Sequence, residues 1–103
     1  MKLPKRSVQF KKSYQKGVGQ GRDLDEFQKV VQMLVNEEPL PARYRNHYLH
    51  NKGLWDVHIE PDWILLYELS PLSAEDPRTE ESGNVYSGAI RLYDIGSHSD
   101  LFK

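Results

Sequence analysis

The side chains best suited to moving protons in this sequence are four histidines, His47, His50, His58 and His98, together with Asp56 and Asp62. Imidazole exchanges a proton near neutral pH more readily than any other unperturbed side chain. Two such groups on either side of a phosphate can therefore serve as base and acid. The bland alternative is four unrelated surface histidines. A metal reading uses His47 and His50, three residues apart, with His58 or Asp62 completing the set, but no zinc-protease motif accompanies them and His50-Asn51-Lys52 has the composition of a turn. The chain has no cysteine, so disulfide frameworks, thiol nucleophiles and thiolate metal sites are excluded.

These groups need a scaffold, and hydrophobic periodicity supplies its outline. Trp55, Val57 and Ile59 alternate with Asp56, His58 and Glu60, the period of a strand with one buried and one wet face, so His58 falls on the polar side. After the turn residues Glu60-Pro61-Asp62, the run from Trp63 to Leu69 is apolar enough to be a central strand, paired antiparallel with its predecessor. Strand character resumes at Ala89-Ile90-Arg91-Leu92-Tyr93, and His98 then lies in a polar turn that ends on Leu101 and Phe102. Trp55 suits the core; Trp63 is open between core packing and stacking on a nucleic-acid base.

Upstream, the period is that of helices. Phe10, Tyr14 and Val18 share one helical face, and the spaced glycines Gly17, Gly19 and Gly21 predict that a helix over residues 7–16 stops near Lys16. Asp23 and Glu26 have the form of a capping box before the stripe Leu24, Phe27, Val30, Val31, Leu34 and Val35, predicting a second helix over 24–36. Pro39-Leu40-Pro41 then forces an extended segment. Residues 70–88 are rich in Pro, Gly, Ser and acids and are expected to form a mobile loop. The predicted order is a strand, two helices and three strands: an α+β domain spanning residues 1–103, with two N-terminal helices packed on a small antiparallel β-sheet.

Charge is unevenly placed. Residues 1–22 contain Lys2, Lys5, Arg6, Lys11, Lys12, Lys16 and Arg22 with no acid, whereas the remainder carries a net charge of −8, leaving −1 overall. Such a basic block is either a phosphate-binding surface or a solvated face. No stretch is apolar enough for a membrane span, and the first residues lack the order of a secretory signal, so a cytoplasmic location is expected.

Three segments together resemble a known family. The run Pro39-Leu40-Pro41-Ala42-Arg43-Tyr44-Arg45-Asn46-His47-Tyr48-Leu49, the run from Trp55-Asp56-Val57-His58 through Glu60-Pro61-Asp62-Trp63 to Tyr67, and the ending Gly96-Ser97-His98-Ser99-Asp100-Leu101-Phe102 resemble the YafQ branch of the RelE-like toxins of bacterial type II toxin–antitoxin pairs. Arg22-Asp23-Leu24 also fits that pattern, and only residues 70–88 fall outside it.

The resemblance implies a ribosome-dependent endoribonuclease that cuts translated mRNA, needs no cofactor or metal, and is neutralised by a cognate antitoxin protein. It carries functional roles onto His47, His58, Asp62 and His98, with Asp56, Trp63 and Phe102 in support. For such chemistry a base takes the 2′-OH proton and an acid protonates the departing 5′ oxygen. His98 is the expected acid; for the base, His47 stands ahead of Asp62 and His58. Lys5, Arg6, Lys11, Lys12, Lys16 and Arg22 are the expected RNA contacts, and the antitoxin is expected to cover the His58 and His98 surface or displace the segment ending at Phe102.

Two features depart from the family. Asp94 stands where members usually carry a basic residue, so Arg91 or another base would have to stabilise the phosphate. The chain is also not basic overall. The alternative function is a non-catalytic member of the fold that binds a partner and regulates transcription with it.

Overall fold

The computed structural model describes residues 1–102. The strand-forming alternation after residue 54 and the helical stripes before residue 36 both become the elements expected of them. In chain order these are β1 (Leu3–Arg6), α1 (Val8–Gly19), α2 (Leu24–Val35), a 3-10 turn (Ala42–Tyr44), β2 (His47–Leu49), β3 (Leu54–Glu60), β4 (Trp63–Ser70), β5 (Ala89–Gly96) and α3 (His98–Leu101). The five strands form one sheet in the order β1-β5-β4-β3-β2.

Alternation sorts the strands' side chains into two faces. Val57, Ile59, Trp63, Leu65, Tyr67, Ile90, Leu92 and Ile95 pack beneath α1 and α2 against Phe10, Phe27 and Val30. Leu54, Ile64 and Leu66 lie in a smaller cluster on the other face, touched by Leu49, Leu101 and Phe102. The helices thus cover one face, and the other keeps the polar members of β3.

Four details differ from the sequence reading. The sheet is mixed, because β1 runs parallel to β5 while the other three pairings are antiparallel. A short β2 adds an edge strand where only an extended segment was expected, and the polar turn after Gly96 winds into α3. Helix α1 continues through Gly17 to Gly19 rather than stopping near Lys16. Gly17 is there for space: a Cβ at that position would lie 2.7 Å from Trp63 Cζ2. The same contact decides Trp63, which is 1% exposed and belongs to the core, so base stacking is closed to it.

Helix starts follow ordinary capping chemistry. Ser7 accepts from Phe10 N at 2.9 Å, and Asp23 accepts from Glu26 N at 3.0 Å. The reciprocal half of the Asp23–Glu26 box does not form. Glu60 accepts from Asp23 N at 3.2 Å instead, and Glu26 receives the Tyr44 hydroxyl.

Residues 71–88 contain neither helix nor strand but are tied back to the fold. Thr79 and Val85 form an isolated bridge, Asp76 meets Lys5 at 2.7 Å, and Ser87 N donates to Met1 O at 2.8 Å. Among the described residues no helix is long and apolar enough to cross a membrane.

Candidate active site

Strand register builds the site on the face that the helices leave open. His47 lies opposite Asp56 across β2 and β3, while His58, Ile64 and Gly96 form a row across β3, β4 and β5. Since His98 follows Gly96 by two residues, the start of α3 brings it back over that row, and the His58 and His98 rings stand 5.6 Å apart. Helix α3 is held by a full capping box: Ser97 Oγ accepts from Asp100 N, and Asp100 accepts from Ser97 N. Phe102 flanks His98 at 5.9 Å, and Lys52 lies 5.8 Å over the Phe102 ring.

Each of two histidines is paired with an aspartate. Asp62, in the β3–β4 turn, accepts from the backbone N of His98 at 2.9 Å and lies 2.9 Å from its Nδ1. Those two hydrogen bonds hold the Asp62 carboxyl below its ordinary pKa, so it remains a carboxylate. A carboxylate accepts only; the proton shared with Asp62 therefore sits on Nδ1, and Nε2 is the nitrogen left for chemistry.

His47 Nδ1 bonds the Arg45 carbonyl oxygen at 3.0 Å and lies 2.8 Å from Asp56 Oδ1. The geometry at Oδ1 is not that of a hydrogen bond, and among the described residues this buried oxygen accepts none. Burial pushes the Asp56 carboxyl up, opposed by the nearby charges of His47, His58 and His98. Asp56 is thus the hub that senses all three imidazoles. Burial also pushes the half-buried His58 down, with Asp56 opposing that shift and His98 and Arg45 adding to it. His58 is therefore biased toward its neutral form, and among the described residues its buried Nδ1 has no partner.

The structure thus gathers His47, Asp56, His58, Asp62, His98 and Phe102. It does not bring in the others that the sequence suggested. Arg91 shares this face but pairs with Glu68 at 3.5 Å and stacks on Tyr93 at 5.4 Å. Asp62 is occupied by His98 rather than standing free as a base. His50 packs edge-on against Tyr48, and among the described residues no three His, Asp or Glu side chains are arranged to hold a metal ion.

The basic segment is likewise divided. Lys5 is engaged by Asp76, Lys16 meets Asp100 at 3.4 Å, and Arg22 sits 3.9 Å from Glu60 and over the Trp63 ring. Arg6, Lys11 and Lys12 are exposed. Two residues escaped the sequence reading. Asn46 accepts from the Tyr67 hydroxyl at 2.7 Å, which anchors the chain beside His47, and Arg45 lines a cavity with His58. The signal for both was their place directly before His47.

The sequence model of a family described as the bacterial toxin of type II toxin–antitoxin systems, YafQ, matches residues 2–103. The chain belongs to that family. A YafQ mRNA interferase toxin of Escherichia coli BL21-DE3 is 39% identical over 67 residues, covering 62% of this chain and 73% of the relative. The structure of the E. coli DinJ–YafQ complex superposes with a TM-score of 0.76 at 29% identity, covering 100% of both chains. A metal-bound toxin from Helicobacter pylori superposes with a TM-score of 0.76 at 30% identity, covering 99% of this chain and 100% of that one. The α+β fold is therefore that of the YafQ toxins. The Nδ1 atoms of His47 and His98 are held by Arg45 O and Asp62, which leaves Nε2 of each ring for other chemistry.

Proposed function

We propose that this YafQ-family chain is an mRNA endoribonuclease toxin acting on translated message at the ribosome, in the cytoplasm, and silenced by a cognate antitoxin. The observation that carries the reading is the meeting of His58 and His98 over the β3–β4–β5 row, with Asp62 fixing His98. In the proposed reaction His47 takes the proton of a ribose 2′-OH, and the freed oxygen attacks the adjacent phosphorus. The P–O5′ bond breaks as His98, protonated on Nε2, gives that proton to the departing oxygen. The products are a 2′,3′-cyclic phosphate and a 5′-hydroxyl, and the base and acid exchange protonation states. Neutral His58 lies beside the acid rather than serving as it.

Arg6, Lys11 and Lys12 supply exposed positive charge for ribosomal RNA, and contacts of this kind weaken with salt. An antitoxin seated over His58 and His98 would block RNA from both. The DinJ–YafQ complex supports a protein partner of this kind.

The test is a translation reaction on a defined mRNA, with and without ribosomes, reading the ends of the fragments. Ribosome-dependent fragments with 5′-hydroxyl ends support the reading. A 5′-phosphate would overturn its chemistry, and cleavage of bare RNA at the same rate would overturn its ribosome dependence. Asp94 favours a second reading, a non-catalytic partner-binding protein, since it has no basic side chain within 4 Å among the described residues and repels a phosphate. Growth on induced expression separates the two: arrest supports the toxin, and unaffected growth supports the second.

A further inference from the structure

A cation near the reacting phosphorus stabilises the charge that builds on a phosphate during cleavage, and Asp94, opposite Leu66 on the open face, is a carboxylate that repels a phosphate. Arg91, on the same face, pairs with Glu68 at 3.5 Å and stacks on Tyr93 at 5.4 Å. Arg45 lies on the other side of His58.

There a cavity of about 310 Å³ is lined by Arg45, His58 and Pro61, together with Arg43, Glu26 and Glu60. Its two carboxylates are already occupied. Glu26 takes the Tyr44 hydroxyl and lies 3.5 Å from Arg43, while Glu60 accepts from Asp23 N and faces Arg22. Arg45 is exposed and has no carboxylate within 4 Å among the described residues. Its backbone is also tied to the catalytic group. With φ at 47°, in the left-handed region that few arginines adopt, it turns its carbonyl oxygen onto His47 Nδ1 at 3.0 Å. One residue thus orients the expected base through its carbonyl and presents a free guanidinium beside His58.

We infer that Arg45 is the phosphate-binding residue of this site, its guanidinium engaging the non-bridging oxygens of the scissile phosphate from the cavity beside His58. The planar fork of arginine matches two phosphate oxygens, and charge-assisted bonds of this type are the strong ones. As the phosphorus becomes five-coordinate, negative charge accumulates on those oxygens, so the contact strengthens in the transition state and raises the rate of cleavage. This inference rests on the ribonuclease reading of the same site, and its test separates the two.

The experiment compares the wild-type chain with Arg45→Asn, Arg45→Lys and Lys29→Gln, the last an exposed control on α2. Asparagine tolerates positive φ, so Arg45→Asn keeps the backbone turn toward His47 while removing the charge. In ribosome-dependent cleavage, Arg45→Asn is expected to fall about ten- to hundredfold, as for loss of a hydrogen bond to a charged group. Arg45→Lys should keep part of the activity that Arg45→Asn loses, and Lys29→Gln should cleave at the wild-type rate. Binding of an RNA bearing a 2′-deoxy sugar at the cleavage position, which cannot react, is measured across a salt series on the same proteins. Arg45→Asn should bind more weakly, with a salt slope lower by about 0.7. Near-normal cleavage by Arg45→Asn in an active preparation overturns this inference and leaves the ribonuclease reading intact. If the wild type does not cleave at all, the ribonuclease reading falls, and unchanged binding of the unreactive RNA by Arg45→Asn then overturns the phosphate contact as well.

Discussion

The open face carries two histidine–aspartate pairs of nearly equal length, His47–Asp56 at 2.8 Å and His98–Asp62 at 2.9 Å, and their surroundings differ in almost every other respect. Asp56 sits within the sheet with only 5% of its side chain exposed; Asp62 sits in a turn with 60% exposed. Burial pushes the first carboxyl up, whereas hydrogen bonds from His98 pull the second down. A charge in water with two donors is cheap to keep, so Asp62 can serve as a constant anchor. A charge inside the sheet depends on its neighbours, so Asp56 answers to whatever charge His47, His58 and His98 carry. The lesson is that equal ion-pair distances imply unequal roles when solvation differs.

The largest expected effect tests the solvated pair at its histidine. His98→Gln keeps size and hydrogen-bonding capacity but has no transferable proton, and acid–base catalysis contributes about 10² to 10⁴ in rate. Cleavage in the translation assay should fall at least about a hundredfold, with antitoxin and ribosome binding retained. A variant cleaving near the wild-type rate would remove His98 as the acid.

Next come the two carboxylates. Asp62→Asn loses the charged acceptor that fixes the His98 tautomer and should lower cleavage about ten- to hundredfold, the usual cost of a hydrogen bond to a charged group. The two aspartates also give acid stability opposite slopes. Asp62 has a lowered folded pKa, so its stabilisation is present above about 3.8 and is lost as pH falls through the folded value. Asp56 has a raised folded pKa; between about 3.8 and that value the folded state binds more protons, and stability falls as pH rises. Urea melts over the acid range should therefore show the slope reduced by Asp62→Asn and increased by Asp56→Asn. The same change in both would mean that the two pairs are equivalent.

A smaller effect reaches the solvated pair from the opposite face. Gly17→Ala would place a Cβ 2.7 Å from Trp63 Cζ2, and Trp63 directly follows Asp62. Overpacking of this kind costs about 1–3 kcal/mol. Urea melts should show that loss, and His98 should be disturbed more than His47 in NMR spectra of the imidazoles. Equal disturbance would mean that Trp63 does not set the position of the Asp62 turn.

Legibility followed the same division between local pattern and long-range contact. The strand carrying Asp56 and His58 was readable because alternation is a property of neighbours in sequence, and α2 was readable from its continuous stripe. The end of α1 was not, since Gly17 looks like a helix breaker until Trp63 is seen against it. The parallel β1 was hidden because pairing direction is set by where the chain returns, not by the four residues Leu3–Arg6. In the site, residue types and the family pattern named the histidines, but neither could show that Asp62 is already occupied by His98 or that Arg91 is drawn off by Glu68. Ion-pair partners far apart in sequence leave no periodic trace.

The smallest expected effect concerns His58, the imidazole between the two pairs. Burial lowers its pKa, so the folded state holds it neutral while the unfolded chain still takes up a proton near 6.5. Over the interval from that value down to the lowered folded pKa the unfolded state binds more protons, and stability must rise with pH. This contribution is fully present above about 6.5 and is lost as pH falls toward the folded value. Asp56 opposes the shift, which keeps the effect modest. Urea midpoints of the wild type and His58→Gln, compared about one unit above and one unit below 6.5, isolate it, because other titrating groups are common to both proteins. The wild type should lose more stability on acidification than the variant. Equal losses would mean that His58 titrates as freely as in the unfolded chain and shares its proton with the pairs on either side, and neutral His58 beside the acid would have to be given up.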